Sequence, residues 1–168
     1  TKTAGDDWWT NPLVVTTARI GGLSLPAVDT LLEERSRQGS KDAEALLGKA
    51  AIANARLAYQ TFKETFGGER FAALRARGAR VQRPLWASTG TKNPSYSDVL
   101  YVESLVGPDT VNTVPPATLT AFLDHGSAQA TLEIDDDKAQ ETIEALQAAE
   151  ISMALVTAKL LSDGLEAL

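Results

Sequence analysis

The chain has 168 residues with 16 lysines and arginines against 22 aspartates and glutamates, a net charge of −6 and a pI near 4.8. That balance argues against nucleic acid and anionic membrane surfaces as partners, and the lack of cysteine excludes a disulfide framework and any thiolate nucleophile or metal ligand. Length and a hydrophobic content of 43% fit a single folded domain over residues 1–168.

The first residues, Thr1-Lys2-Thr3-Ala4-Gly5-Asp6-Asp7-Trp8-Trp9, lack the apolar core of a signal peptide. No apolar run reaches the roughly 18 residues of a membrane span, so a cytoplasmic location is expected. The initiator methionine is missing as well, which suggests a processed, trimmed or excerpted chain. Residues 1–12 read as irregular. The β-branched run Leu13-Val14-Val15-Thr16-Thr17 predicts a strand, stopped by Gly21-Gly22.

Asp29 is expected to cap a helix from Thr30 to about Gln38, with Gly39 closing it. The clearest element covers residues 41–66. There Leu46, Ala50, Ala53 and Leu57 recur at helical spacing, continued by Tyr59, Phe62 and Phe66. Ser40 suits its N-cap, Asp42 and Glu44 complement the dipole, and Gly67-Gly68 ends it. Residues 69–77 predict a short helix with Phe71 and Leu74 inward, stopped by Gly78.

A strand is expected at 84–88, a helix at about 97–106, a strand at 111–114 and a helix at 116–124. Residues 130–134 alternate weakly. Asp135-Asp136-Asp137 opens a helix to about Glu150, and an amphipathic helix is expected over 152–168 through Leu155, Lys159, Leu160 and Leu161. Alternation of short apolar strands with helices predicts an α/β fold with a parallel sheet or barrel. With three or four strands visible, the chain holds about half of a (β/α)8 barrel, which needs eight strands.

Ser88, Thr89, Thr91 and Lys92 lie in a loop after an apolar strand. Hydroxyls, loop N–H groups and one ammonium suit a phosphate, and the alternative is a solvated loop with a surface lysine. His125 precedes Gly126 at a helix end, where capping by a cation is the simpler reading than catalysis. The acidic run 135–137 lacks EF-hand spacing and reads as a helix N-terminal cluster. Trp8-Trp9 suits a core or interface anchor, or a sugar-stacking platform. Glu33, Glu34 and Glu103 form no recognisable carboxylate pair.

Three runs carry a family resemblance: Lys49-Ala50-Ala51-Ile52-Ala53-Asn54-Ala55-Arg56-Leu57-Ala58-Tyr59, then Arg83-Pro84-Leu85-Trp86-Ala87-Ser88-Thr89-Gly90-Thr91-Lys92-Asn93-Pro94, then Val111-Asn112-Thr113-Val114-Pro115. In this order they resemble the carboxyl-terminal portion of transaldolases, specifically the actinobacterial-type branch, over residues 28–168. Residues 1–27 match nothing in that family's pattern. The resemblance implies the last βα units of a TIM barrel, with these segments at strands seven and eight. It places Ser88 and Lys92 at the phosphate end of the substrate, and Asn112 and Thr113 at the mouth of the last strand.

The family's reaction transfers a dihydroxyacetone unit between sugar phosphates in the pentose phosphate pathway, with no cofactor or metal. Its nucleophile is a strand-four lysine that forms a Schiff base, set in a lysine-isoleucine/valine-proline context. None of Lys2, Lys41, Lys49, Lys63, Lys92, Lys138 and Lys159 has that context. Gly22-Leu23-Ser24-Leu25-Pro26 stands where the family supplies a serine and an arginine. The expectation is a transaldolase-family chain that supplies phosphate-end residues and no catalytic residue, its barrel completed by self-association or a partner chain. The alternative is a non-catalytic half-barrel that serves as a binding or assembly module.

Overall fold

The computed structural model describes residues 25–91, 93–134 and 136–152, with residues 158, 162 and 165. The expected strand at 13–17, Trp8-Trp9, Lys92 and nearly all of the expected helix over 152–168 lie outside these residues.

The first helix, α1 (Leu25–Arg37), starts before Asp29. Asp29 is therefore an internal helical residue and not an N-cap. It is buried beside Val28 and Leu32 on the inward face. Gly39 does close the helix: its φ of +95° turns the chain so that Ser40 N donates to Arg35 O at 3.0 Å. Ser40 then caps α2 (Lys41–Leu46), its Oγ accepting from Ala43 N at 3.3 Å.

The long helix expected over 41–66 is two helices, α2 and α3 (Ala50–Gly67), joined by an elbow at Gly48. Gly48 has φ +72°, and a Cβ there would lie 3.4 Å from Tyr96 Cζ. Apolar periodicity runs through the elbow because Leu46 and Ala50 both face the same core. The spacing therefore reports the buried face and not the continuity of the backbone. α3 ends at Gly67, and α4 (Glu69–Arg75) follows at once. Phe71 is buried as expected, but Leu74 is 44% exposed. This short helix turns one face to the core, and Phe71 takes that place against Phe66, with ring centroids 4.7 Å apart.

β1 (Leu85–Ala87) and β2 (Val111–Thr113) pair in parallel, with Leu85 opposite Val111, Trp86 opposite Asn112 and Ala87 opposite Thr113. Between them lies α5 (Leu100–Ser104), shorter than expected because Ser97 and Leu100 close a turn before it, with Leu100 N donating to Ser97 O at 3.1 Å. α6 (Pro116–His125) and α7 (Asp136–Ala148) follow. The weakly alternating segment 130–134 forms no strand. Thr131 N and Leu132 N both donate to Val106 O, at 2.9 and 3.0 Å, and this turn drives Leu132 inward. Among the described residues the architecture is thus helical around a two-stranded parallel sheet, a β-α-β arrangement consistent with part of a barrel. Three or four strands were expected, and the described residues hold two.

Two apolar clusters hold these elements, and α3 contributes to both. Val28, Leu32, Ala43, Leu46, Ala50, Leu146 and Ile151 unite α1, α2, the start of α3 and α7. Ala55, Tyr59, Trp86, Leu105 and Leu132 bind the rest of α3 to β1 and the end of α5. Gly107 is required beside this second cluster, since a Cβ there would fall 2.6 Å from Leu132 Cδ2. His125 ends α6 as expected and is exposed. Its Nε2 lies 2.8 Å from Asp98 and its Nδ1 3.2 Å from Asp124, joining α6 to the turn before α5.

Leu132→Ala should destabilise the chain by about 2–5 kcal/mol, because a fully buried leucine leaves a cavity. Leu123→Ala, on a side chain 78% exposed, should change stability by less than about 0.5 kcal/mol. Urea titration of both variants checks the contrast. Hydrogen bonds donated by the ring to the Asp98 and Asp124 carboxylates raise the His125 pKa above its ordinary value of 6.5. Its stabilising contribution is therefore complete below 6.5 and fades as pH rises through the raised value. The urea midpoint of wild type should exceed that of His125→Gln at acid pH, and the two should converge in alkali.

Candidate anion site

The loop after β1 begins with a forced change of direction. Ser88 has φ +58°, a left-handed backbone that a non-glycine residue adopts at some cost. The reversal leaves Ser88 exposed and buries Thr89 to 3% exposure. Thr89 Oγ1 donates to Asn112 Oδ1 at 2.9 Å, which locks the loop to β2. This contact fixes the Asn112 amide with its oxygen toward Thr89, so that Nδ2 is the donor end of the side chain. Thr113 is exposed, and its hydroxyl donates to Trp86 O at 3.2 Å. With its single proton engaged on the sheet, the Thr113 hydroxyl has only acceptor lone pairs left.

Gly90 brings the loop against α6. A Cβ at Gly90 would lie 3.0 Å from Thr118 Oγ1 and 3.2 Å from Pro115 Cγ, so a larger residue would push the loop off the helix start. Pro115 and Pro116 carry no backbone N–H, which leaves Ala117 and Thr118 as the first donors of α6. The positive end of the helix dipole therefore lies beside the loop, an arrangement that favours an anion.

Farther along, the loop is tied to itself and to α1. Thr91 Oγ1 donates to Ser97 O at 3.1 Å, and Asn93 Oδ1 accepts from Ser95 N at 2.9 Å. Asn93 Nδ2 donates to Glu33 Oε1 at 3.0 Å. Tyr96 Oη donates to Asp29 Oδ2 at 3.0 Å, while Asp29 Oδ1 accepts from Gly48 N at 3.1 Å. Burial pushes the Asp29 pKa up, and the hydrogen bonds from Gly48 and Tyr96 pull against it. Burial and the neighbouring Asp29 charge both raise the Tyr96 pKa, keeping the phenol protonated as a donor. Tyr101 is pushed up to about 12 by the same two causes.

Ser88 thus follows β1 directly and Thr113 ends β2, the adjacent parallel strand, while Asn112 is the middle residue of β2, opposite Trp86. Lys92 belongs to the same loop by sequence. Sequence reasoning missed Asp29, Glu33 and Tyr96 as partners of the loop. The available signal was Asp29 itself, a carboxylate set between Val28 and Leu32 on the buried face. Among the described residues no group of histidines and carboxylates could hold a metal ion, and no helix is long and apolar enough to cross a membrane.

The family model for Transaldolase/Fructose-6-phosphate aldolase matches residues 27–168. The chain is 52% identical over 141 residues to a transaldolase of Mycolicibacterium smegmatis, covering 83% of this chain and 38% of that relative. It is 49% identical over 140 residues to a transaldolase of Neisseria meningitidis, covering 83% and 37%. Transaldolase 1 of Streptomyces avermitilis is 58% identical over 100 residues, 59% of this chain and 26% of that protein. The chain therefore spans well under half the length of these relatives. A family match over residues 27–168 and identities near one half leave one conclusion: the chain belongs to the transaldolase/fructose-6-phosphate aldolase family.

Proposed function

We propose that residues 28–168 act as the strand-seven and strand-eight portion of a transaldolase barrel, binding the phosphate end of a sugar phosphate. Residues 1–27 are the part of the single domain that the resemblance does not reach. The observation that carries this reading is the parallel pairing of β1 with β2, with Ala87 opposite Thr113. With it go the bond from Thr89 to Asn112 and the close approach of Gly90 to Pro115 and Thr118, which support an anion received beside β2 and the start of α6. Donors there are Asn112 Nδ2, the hydroxyl of Ser88, loop N–H groups and the first N–H groups of α6, with Lys92 as the cation of the loop. Donors of this kind offset an anion's charge without a metal or cofactor.

In a complete barrel the reaction would be transfer of a dihydroxyacetone unit from a ketose phosphate to an aldose phosphate through a Schiff base. This portion would hold the phosphate while other strands supply the nucleophile. A Schiff-base lysine has to lose its proton, which calls for a desolvated or cationic pocket. Lys41, Lys49 and Lys138 are exposed, and Lys63 is ion-paired with Glu133 at 2.8 Å. None meets that requirement.

The sheet also supports a role in assembly. Among the described residues β1 and β2 have only each other as partners, and unpaired parallel edges invite pairing. A second copy or a partner chain would complete the sheet, and the working location is the cytoplasm. If this pairing is the whole function, the chain is a non-catalytic binding or assembly module; sedimentation at tens of micromolar should in either case find more than a compact monomer.

The isolated chain should show no turnover of fructose 6-phosphate with erythrose 4-phosphate. Turnover that survives repurification and disappears in Lys92→Ala would contradict this and make Lys92 catalytic. Lys92→Ala should weaken inorganic phosphate binding about ten-fold or more, since a charged donor is worth about 1.5–3 kcal/mol. Its stability should be unchanged within about 0.5 kcal/mol. Isothermal titration and urea unfolding check the two halves.

A further inference from the structure

We propose that Glu33 and Asp29, one turn apart on α1, are positioning residues for the anion loop, holding it through Asn93 and Tyr96. The proposal rests on the phosphate reading of the 88–93 loop. Residues four apart on a helix share a face, and here that face meets the two ends of one short turn. Asn93 directly follows Lys92. Its Nδ2 is held by Glu33 at 3.0 Å and its Oδ1 accepts from Ser95 N at 2.9 Å, so its side chain is fixed at both ends. Tyr96 N donates to Asn93 O at 3.1 Å, and Tyr96 Oη donates to Asp29 at 3.0 Å. The loop is thereby held on one side by Thr89, bonded to Asn112, and on the other by the 93–96 turn, bonded to α1.

Packing alone does not account for Glu33. It is half-buried, and its Oε1 accepts from Asn93 Nδ2 at 3.0 Å. Its contact joins residues 60 positions apart in the chain. A carboxylate behind an anion loop also opposes the anion's charge, which an apolar contact would not do. What it supplies is a directional acceptor for Asn93, and orientation is what preorganised donors need. Asp29 acts in the same way on Tyr96 and ties that hold to the α2–α3 elbow through Gly48 N.

The test uses the full chain with Glu33→Leu, Glu33→Gln and Tyr96→Phe, avoiding the buried Asp29, whose replacement risks the fold. Amide hydrogen exchange is read at Ser95 and Tyr96, whose N–H groups are bonded to Asn93, with amides of α7 as the control, beside titration with inorganic phosphate. Glu33→Leu and Tyr96→Phe should each speed loop exchange about ten-fold and weaken phosphate to a similar degree, the loss of one hydrogen bond to a charged group. Exchange in α7 should not change. Glu33→Gln keeps an acceptor for Asn93 and should restore slow exchange, binding phosphate at least as tightly as wild type because a negative charge is gone. Unchanged loop exchange in both Glu33→Leu and Tyr96→Phe overturns the proposal, as does a Glu33→Gln loop as loose as that of Glu33→Leu. If wild type binds no phosphate, the anion reading fails, and the exchange data alone decide whether α1 positions the loop.

Discussion

The arrangement depends on one buried carboxylate. Asp29 is 7% exposed, and a carboxylate in that position is tolerable only with donors around it. Its two oxygens find Gly48 N and Tyr96 Oη, one from the α2–α3 elbow and one from the loop after β1. Leaving such a group without partners would cost about 1–3 kcal/mol or more. Three local features therefore answer the same requirement. Gly48 adopts φ +72°, a backbone that suits glycine, and presents its N–H to Asp29. Tyr96 keeps its proton because burial and the Asp29 charge both raise its pKa. The helix breaks at this elbow although its apolar spacing continues.

From that anchor the geometry passes to the sheet. The elbow sets the start of α3, and α3 carries Ala55 and Tyr59 against Trp86. Tyr59 Oη also donates to Pro108 O at 3.1 Å, just ahead of β2. α3 thus packs on β1 and reaches the loop that leads into β2. The strands are held in register by Val111 N donating to Pro84 O at 2.9 Å, at the end opposite the loops. The loops then leave from matched positions. A short sheet of this kind has little stability of its own, so the loops after the strands take their geometry from the helices behind them.

Much of this was legible in the sequence where the signal is local. Ser40 caps, Gly39 reverses and Gly67 ends a helix because those roles depend on one residue's side chain or φ. The strands at 85–87 and 111–113 followed from short apolar runs emptying into polar loops. The break at Gly48 was not legible, because a glycine inside a periodic run is often tolerated and its partner, Asp29, lies 19 residues away. For the same reason Asp29 read as a cap: its polar character was visible, its distant donors were not. Leu74 was expected inside from spacing alone, but α4 is too short for a second buried position behind Phe71. Of the candidate site, the loop after β1 was legible from its hydroxyls and its lysine, Asn112 and Thr113 were assigned from a resemblance, and that the two segments are neighbours needed the strand pairing. The loop's attachment to α1 through Glu33 and Asn93 spans 60 positions and left no local trace.

The account stands on one claim, that the loops after β1 and β2 receive a single anion. Amide chemical shifts of the full chain under titration with inorganic phosphate test it most directly. The account predicts saturable perturbations centred on residues 88–93, on Asn112 and Thr113, and on the first turn of α6. Perturbations centred on Trp8 and Trp9, with both loops silent, would contradict it.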